Sequence, residues 1–198
     1  MSSSVNRTRR LAVTAMLLAL GTVLSMVKVL QMPFGGSITL LSMLPVCMIS
    51  IEYGVKWGLV SSFIFSLIQF GFGLQEGCLG WGFTGGLLIV MILFDYIVAF
   101  SVLGVAGLFR NKGIGGIVLG VALAVFLRFV CHFITGFALW TYLDFSISLG
   151  SFTLKGPYWY SLLYNGAYML PECITTVIGA SILFKIPVIN KLMAGDKI

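Results

Sequence analysis

Three side chains that can bind a charged or polar ligand interrupt otherwise apolar stretches of the sequence: Asp95, His132 and Asn165. Counted along helices at about 1.5 Å per residue, the three are expected in one layer of a membrane bundle. A carboxylate, an imidazole and a carboxamide at one depth, with tyrosine and tryptophan rings nearby, suit a small, flat, nitrogen-containing cation. The carboxylate would meet the charge, the rings would stack, and the other two groups would form hydrogen bonds.

Two further charges, Arg128 and Glu172, are expected one layer deeper. An ionisable side chain at the bilayer centre costs about 2.5–3.5 kcal/mol on insertion scales, so each must face protein or a water-filled cavity. We expect Arg128 and Glu172 to form a structural ion pair, since opposite charges at one depth neutralise each other. Arg128 and His132 are four residues apart and share a helix face. The alternative for His132 is an interior histidine with no ligand.

The elements that must position these residues are membrane-spanning helices. Of the 198 residues, 59% are hydrophobic and only 9% are charged, against roughly 25% charged in soluble domains. Proline, glycine and charge clusters divide the chain into six apolar runs near the length of about 20 residues that a bilayer requires. These runs are 9–30, 38–54, 56–74, 84–109, 113–142 and 157–186. We predict an all-α integral membrane protein with six transmembrane helices in a single membrane domain, residues 1–198.

The distribution of basic residues predicts the orientation. With the N-terminus inside, most Lys and Arg residues fall in segments that face the cytoplasm, as the positive-inside rule requires, and both termini are then cytoplasmic. The formal charge of +6 is therefore a topology signal. No basic stripe with interleaved aromatic residues indicates nucleic-acid binding. We expect a multi-pass protein of the cell membrane, in a bacterial plasma membrane.

The sequence lacks the motifs that several kinds of chemistry require. The four cysteines are far apart and form no C-x-x-C pair, so neither a metal site nor a redox motif is predicted. No P-loop is present, so any ATP hydrolysis must occur in another subunit. An intramembrane enzyme would need a nucleophile with a positioned base, or further metal ligands, which the sequence does not offer. We expect a protein that is not an enzyme and carries no cofactor.

The first predicted helix carries a face of small residues at spacings of three, four and three: Ala12, Ala15, Ala19 and Thr22. Small side chains let another helix approach closely in lipid. The partner of this face is either a second subunit or the protein's own helices.

Four segments carry a family resemblance. In order and spacing, MPFGGSITLLSMLPV, FDYIVAFSVLGVAGLFR, RFVCHFITGFALW and YSLLYNGAYMLPE resemble the thiamine-specific substrate-binding (S) components of energy-coupling factor (ECF) transporters. The resemblance implies an S-component bundle that binds extracellular thiamine (vitamin B1) with high affinity. It also implies partners: a transmembrane coupling subunit, docked on the small-residue face of the first helix, and two ATPase subunits.

The resemblance also implies roles for individual residues. The substrate-binding positions that it marks are Asp95, Tyr96, His132, Trp140, Tyr160 and Asn165. Asp95 would interact with the charged ligand. His132 and Trp140 would bind and stack on it, and Tyr160 and Asn165 would form hydrogen bonds with the aminopyrimidine. Some family members carry Glu at the position of Asp95. Some carry a tryptophan in the first loop, where this chain offers Phe34 as the lid.

A second function class stays open at this point. A proton-coupled secondary transporter of thiamine, or of a related pyrimidine precursor, would use Asp95, His132, Arg128 and Glu172 as a proton relay. The sequence has neither the inverted repeat nor the paired broken helices that are typical of such transporters. Uptake that needs a pH gradient and no ATPase would favour this class.

Overall fold

The computed structural model describes residues 2–32, 35–81, 83, 85–141, 146–149, 152–187 and 189. Five regular helices are α1 (Ser2–Met26), α2 (Met43–Tyr53), α3 (Val55–Gln75), α5 (Gly113–Trp140) and α6 (Pro157–Leu183). Between α3 and α5 runs a composite helix over residues 86–112, here called α4. Two antiparallel hairpins complete the fold. They pair β1 (Lys28–Gln31) with β2 (Ser37–Thr39), and β3 (Ser146–Leu149) with β4 (Phe152–Lys155).

The first hairpin shortens two of the predicted helices. α1 ends at Met26 and α2 begins only at Met43, because β1 and β2 pair in the residues between them, with Lys28 opposite Thr39. α2 has 11 residues and is therefore about 16 Å long. The hydrocarbon core of a bilayer is about 30 Å thick, so α2 covers only about half of it.

Two glycines make the tight turns that reverse the chain at the end of the bundle opposite the hairpins. Gly54 is the only residue between α2 and α3 and has φ +89°, and Gly113 begins α5 with φ +66°. Positive φ is accessible to glycine at little cost, because it has no Cβ. Arg110 donates to the carbonyl oxygen of Glu52 at 2.8 Å, so a cation also satisfies the C-terminal end of α2.

α4 changes its helical geometry along its length. It consists of an α-helical turn (Gly86–Met91), a π-helical segment (Ile92–Val98), a short α-helical piece (Ala99–Ser101) and a 3₁₀ segment (Val102–Lys112). π-helical segments are rare in proteins, and those that occur are often found at functional sites. The one in α4 carries Asp95 and Tyr96.

Four helical stretches in the described residues are long and apolar enough to cross a membrane: Arg7–Met26, Val55–Gln75, Gly86–Trp140 and Pro157–Leu183. The third has 55 residues, about 80 Å of helix, and it folds back at Gly113 so that α4 and α5 pack side by side. Large apolar side chains are exposed along α1, α3, α5 and α6, as expected of surfaces that face lipid. The protein is thus a multi-pass helical membrane protein, whereas six crossings stay a prediction.

α2 lies at the centre of the bundle, with every residue from 43 to 51 buried. The Ser50 hydroxyl donates to the carbonyl oxygen of Gly104 and accepts from the amide of Gly107, the latter at 2.9 Å. A Cβ at either glycine would overlap backbone atoms of the neighbouring helix. α4 therefore packs against α2 and α3 at backbone contact distance, which fixes the height of its π segment in the bundle.

Candidate ligand-binding site

A cavity of about 430 Å³ lies at the end of the bundle that carries the hairpins. Its walls come from the ends of α1 and α3, the π segment of α4, the second half of α5, the first half of α6 and the β1–β2 hairpin. The volume falls within the range of about 300–1,000 Å³ that is usual for small-molecule sites. Five of the six residues marked as substrate-binding line it: Asp95, Tyr96, His132, Trp140 and Asn165.

The charged centre of the cavity joins α4 to α5. Nδ1 of His132 lies 2.9 Å from Oδ1 of Asp95, and Nε of Arg128 lies 3.2 Å from Nε2 of His132. A guanidinium only donates, so Nε2 must accept, and the proton of the neutral imidazole is then assigned to Nδ1, which donates to Asp95. Arg128 also lies over the ring of Phe100, 4.1 Å from its centroid. The neutral ring of His132 thus connects the two opposite charges.

Asn165 is held by several hydrogen bonds at the α5–α6 contact. Its Nδ2 donates to the carbonyl oxygens of His132 (3.1 Å) and Ser161 (2.9 Å), and its Oδ1 accepts from the Tyr168 hydroxyl at 2.8 Å. The amide orientation is therefore fixed by its partners. Oδ1 keeps one lone pair for a ligand donor, so Asn165 can serve the site as an acceptor.

The aromatic wall has two layers. Trp140, Tyr164 and Tyr168 line the cavity. Tyr160 is not among the described residues that line it, and its ring packs on Trp140 at a centroid distance of 4.3 Å and stacks on Tyr164 at 6.1 Å. Tyr160 therefore supports the wall from behind, whereas the resemblance implies a direct hydrogen bond to the ligand.

Glu172 and Arg128 both line the cavity, but the described residues contain no direct ion pair between them. Arg128 instead bonds to His132, and Oε1 of Glu172 accepts hydrogen bonds from the backbone amide and the hydroxyl of Thr39. The expected ion pair is thus replaced by two separate interactions. The physical reason is that β2 packs against α6 and places two donors on this carboxylate.

Several lining residues were not singled out from the sequence as site residues. Lys28 and Glu76 form an ion pair beside Trp81, which packs against Gly35 of the hairpin. Their signal was weak: Lys28 falls near the end of the first predicted span, 9–30, whereas Glu76 and Trp81 follow the third, 56–74, in loop-like, glycine-rich sequence. Tyr168 had a clearer signal, since it lies on the same helix face as Tyr164 and Glu172 at spacings of four. Phe34, the expected lid, lies outside the described residues.

The lining has an excess of acidic groups. Its described residues include three carboxylates and two cationic side chains: Glu76, Asp95, Glu172, Lys28 and Arg128. Because His132 is neutral, the lining carries one net negative charge when these five groups are ionised. A monovalent cation would neutralise it.

The small-residue face of α1 points away from the bundle. Ala12, Ala15 and Ala19 are exposed and Thr22 is partly buried, whereas Thr14, Leu18 and Ser25 are buried. α1 thus packs on its own protein with a different face. The face of Ala12, Ala15, Ala19 and Thr22 is left available to another molecule.

Fold and site together define a helical membrane protein that binds a small solute. The chain belongs to the family of thiamine transporter proteins (Thia_YuaJ), whose model matches residues 11–190. It is 33% identical to the thiamine transporter ThiT of Bacillus subtilis (strain 168), in an alignment that covers 95% of each chain. Its fold is similar to that of ThiT from Listeria monocytogenes, with a TM-score of 0.72 at 22% identity, over 95% of this chain and 98% of the other.

Proposed function

We propose that this protein binds extracellular thiamine with high affinity and takes it up as the substrate-specific subunit of an ATP-driven ECF transporter. Family membership supports thiamine as the solute. The observation that carries the proposal is the Asp95–His132 pair, at 2.9 Å, inside a cavity of about 430 Å³ with aromatic walls. Thiamine combines a permanent thiazolium charge with a flat aminopyrimidine, and these two features match the charge and the walls.

The roles of the binding residues follow from their positions. Asp95 and the net negative lining attract the cation, and exclusion of water strengthens that attraction because the local dielectric is low. Trp140 and Tyr164 offer faces for stacking. Tyr96 lines the cavity beside Asp95, and Oδ1 of Asn165 accepts a donor of the aminopyrimidine. Tyr160 acts through Trp140.

The energy for release comes from partner subunits in this proposal. The exposed face of Ala12, Ala15 and Ala19 docks a transmembrane coupling subunit, since small side chains permit close helix contact. Two ATPase subunits on the cytoplasmic side then hydrolyse ATP and drive reorientation of the bundle. The chain acts as a single membrane domain of six crossings with both termini in the cytoplasm. The basic residues at the α1 start and the α4–α5 turn support that orientation.

The test is uptake of radiolabelled thiamine into proteoliposomes. In these vesicles the lumen corresponds to the cytoplasm. With the coupling subunit and both ATPases, uptake is expected to require ATP in the lumen. The protein alone is expected to bind thiamine without accumulating it. Thiamine that co-purifies with the protein, identified by mass spectrometry, would support the ligand. Absence of binding by the purified protein would contradict the proposal.

One observation favours the alternative, a proton-coupled secondary transporter. Asp95 and His132 are joined by a hydrogen bond, and both are groups that can gain and lose a proton, as a proton relay requires. The same vesicles decide between the two functions. Accumulation by the protein alone, driven by a pH gradient and abolished by a protonophore, would support the alternative.

A further inference from the structure

The β1–β2 hairpin lies along one face of α6. Tyr164, Tyr168 and Glu172 follow each other at intervals of four residues and so share this face. The amide of Gly36 donates to the Tyr164 hydroxyl at 3.3 Å, and a Cβ on Gly36 would come within 3.0 Å of the Tyr168 ring. The hairpin is thus in contact with α6 at Gly36, in the turn before β2. A third contact, three residues further on, joins Thr39 to Glu172.

In the contact between Thr39 and Glu172, the hydrogen-bond acceptor is a carboxylate. Glu172 is only 2% exposed, and its Oε1 accepts both the backbone amide and, at 2.7 Å, the hydroxyl of Thr39. Hydrogen bonds to an ionised acceptor are roughly twice as strong as neutral ones. Oε2 has no hydrogen-bond partner among the described residues. Among the described residues, the hydrogen-bond partner of this buried carboxylate is therefore Thr39 of the hairpin.

The other links between the hairpin and the bundle are weaker. The hydrogen bond from Gly36 to Tyr164 is between neutral groups and is 3.3 Å long. The Lys28–Glu76 ion pair is partly exposed, with 22% and 37% of the two side chains accessible, and exposed pairs contribute little. Glu172 is thus the strongest single link that holds the hairpin on α6.

The hairpin forms one wall of the cavity through Gly35, Gly36, Ser37 and Thr39. A ligand in the cavity would therefore lie against the hairpin. We propose that Glu172 is a positioning residue of the ligand site: by binding Thr39 it holds the β1–β2 hairpin over the cavity and so sets the rate at which the ligand leaves. The identity of the ligand, thiamine, rests on the proposed function.

Three variants separate a hydrogen-bonding role from a role of charge or packing. Glu172→Leu removes the acceptor, Glu172→Gln removes the charge but keeps an acceptor oxygen, and Thr39→Val removes the hydroxyl but keeps the side-chain shape. Glu172→Leu is expected to increase the dissociation rate of thiamine about tenfold or more, the effect of losing a hydrogen bond to a charged group. The association rate is expected to change much less.

The conservative variants give the decisive contrast. All dissociation rates are measured in the same way, by stopped-flow. Glu172→Gln, which keeps an acceptor but only a neutral one, and Thr39→Val are each expected to give a rate between those of the wild type and Glu172→Leu. The double variant Glu172→Leu with Thr39→Val should dissociate little faster than Glu172→Leu alone, since Glu172→Leu already removes the bond from the Thr39 hydroxyl. A Glu172→Gln protein as fast as Glu172→Leu, or a Glu172→Leu protein as slow as the wild type, would overturn the inference.

A second measurement needs no ligand. Deuterium exchange of the hairpin amides, residues 28–39, is expected to rise in Glu172→Leu, to rise less in Glu172→Gln, and to stay at the wild-type level in the control Glu52→Gln at the opposite end of the bundle. Unchanged exchange in Glu172→Leu would overturn the inference about the hairpin. If the wild type still binds thiamine in that case, the proposed function is unaffected. Raised exchange in Glu172→Leu, together with a wild type that binds no thiamine, would support the anchor and contradict the proposed function.

Discussion

Asp95 and His132 are joined across α4 and α5 by a hydrogen bond of 2.9 Å between Oδ1 and Nδ1. The imidazole also accepts from Arg128 and is therefore neutral. A neutral donor orients the carboxylate without cancelling its charge. The negative charge of Asp95 thus stays available to a cation in the cavity.

Removal of the Asp95 charge should weaken thiamine binding. Asp95→Asn can still accept from His132, so the geometry is retained and only the charge is lost. We expect the dissociation constant to rise about 10- to 100-fold, because a pair of opposite charges about 4 Å apart contributes roughly 1–4 kcal/mol at effective dielectric constants between 80 and 20. Isothermal titration of purified protein measures this. Glu52→Gln, which removes a carboxylate outside the cavity, serves as the control, and unchanged affinity in Asp95→Asn would remove the central contact.

The two-layered aromatic wall predicts different results for its two members. Trp140→Ala should lower thiamine affinity by tenfold or more, as about 1–3 kcal/mol of stacking and burial is lost. Tyr160→Phe should bind nearly as well as the wild type, because its ring still supports Trp140, whereas Tyr160→Ala should lower the affinity. Quenching of tryptophan fluorescence by thiamine reports all three. A large loss in Tyr160→Phe would indicate that the hydroxyl contacts the ligand directly.

Gly73 and Gly71 on α3 form a matched pair. A Cβ on Gly73 would overlap the ring of Tyr96, whereas a Cβ on Gly71 would meet no atom within 4 Å. Gly73→Ala should displace Tyr96 and lower both thiamine affinity and melting temperature, while Gly71→Ala should leave the affinity unchanged. Titration and thermal unfolding in detergent measure the two effects. Equal behaviour of the two variants would show that the contact with Tyr96 is dispensable.

The orientation of the bundle can be tested with single cysteines at two exposed lysines, Lys112 and Lys155. They lie at opposite ends, Lys112 in the turn between α4 and α5 and Lys155 at the end of β4. In intact cells a membrane-impermeant maleimide should label Lys155→Cys and should label Lys112→Cys only after permeabilisation. The wild type, with its four native thiols, gives the background. The reverse pattern would place the cavity on the cytoplasmic side.

The exposed face of α1 predicts a separation of binding from transport. Ala15→Trp should abolish ATP-driven uptake with the partner subunits while thiamine binding by the isolated protein stays unchanged, because a large ring blocks close helix contact. Leu20→Trp, at an exposed position that is neither three nor four residues from any member of the small-residue face, is the matched control and should transport normally. Normal transport by Ala15→Trp would argue against this face as the docking site.

The sequence predicted the parts of the protein that depend on apolar length and helical spacing. The long apolar runs identified the membrane helices, and the shared depth of Asp95, His132 and Asn165 predicted that they line one cavity, as they do. Both inferences use distances along single helices, which the sequence contains. The spacing of Arg128 and His132 likewise predicted that they share one face of α5.

Features that depend on packing between elements were not predictable in this way. The β1–β2 hairpin has short strands, and its position is set by contacts with α6 that lie more than a hundred residues away in the chain. Those contacts also explain why Glu172 binds Thr39 in place of Arg128. The position of Tyr160 behind Trp140 depends on how α5 and α6 cross. Spacing within α6 alone does not contain that information.

The shortness of α2 has a consequence for the route of the ligand. The β1–β2 hairpin precedes the start of this helix at Met43 and takes the place of further helical turns. Non-helical backbone at membrane depth is tolerated only against protein or water. When the hairpin lifts, its freed amide and carbonyl groups must be hydrated, and lipid tails cannot do this. The site is therefore expected to open along the membrane normal, toward the aqueous phase. A solute is expected to arrive from water rather than from the lipid around the bundle.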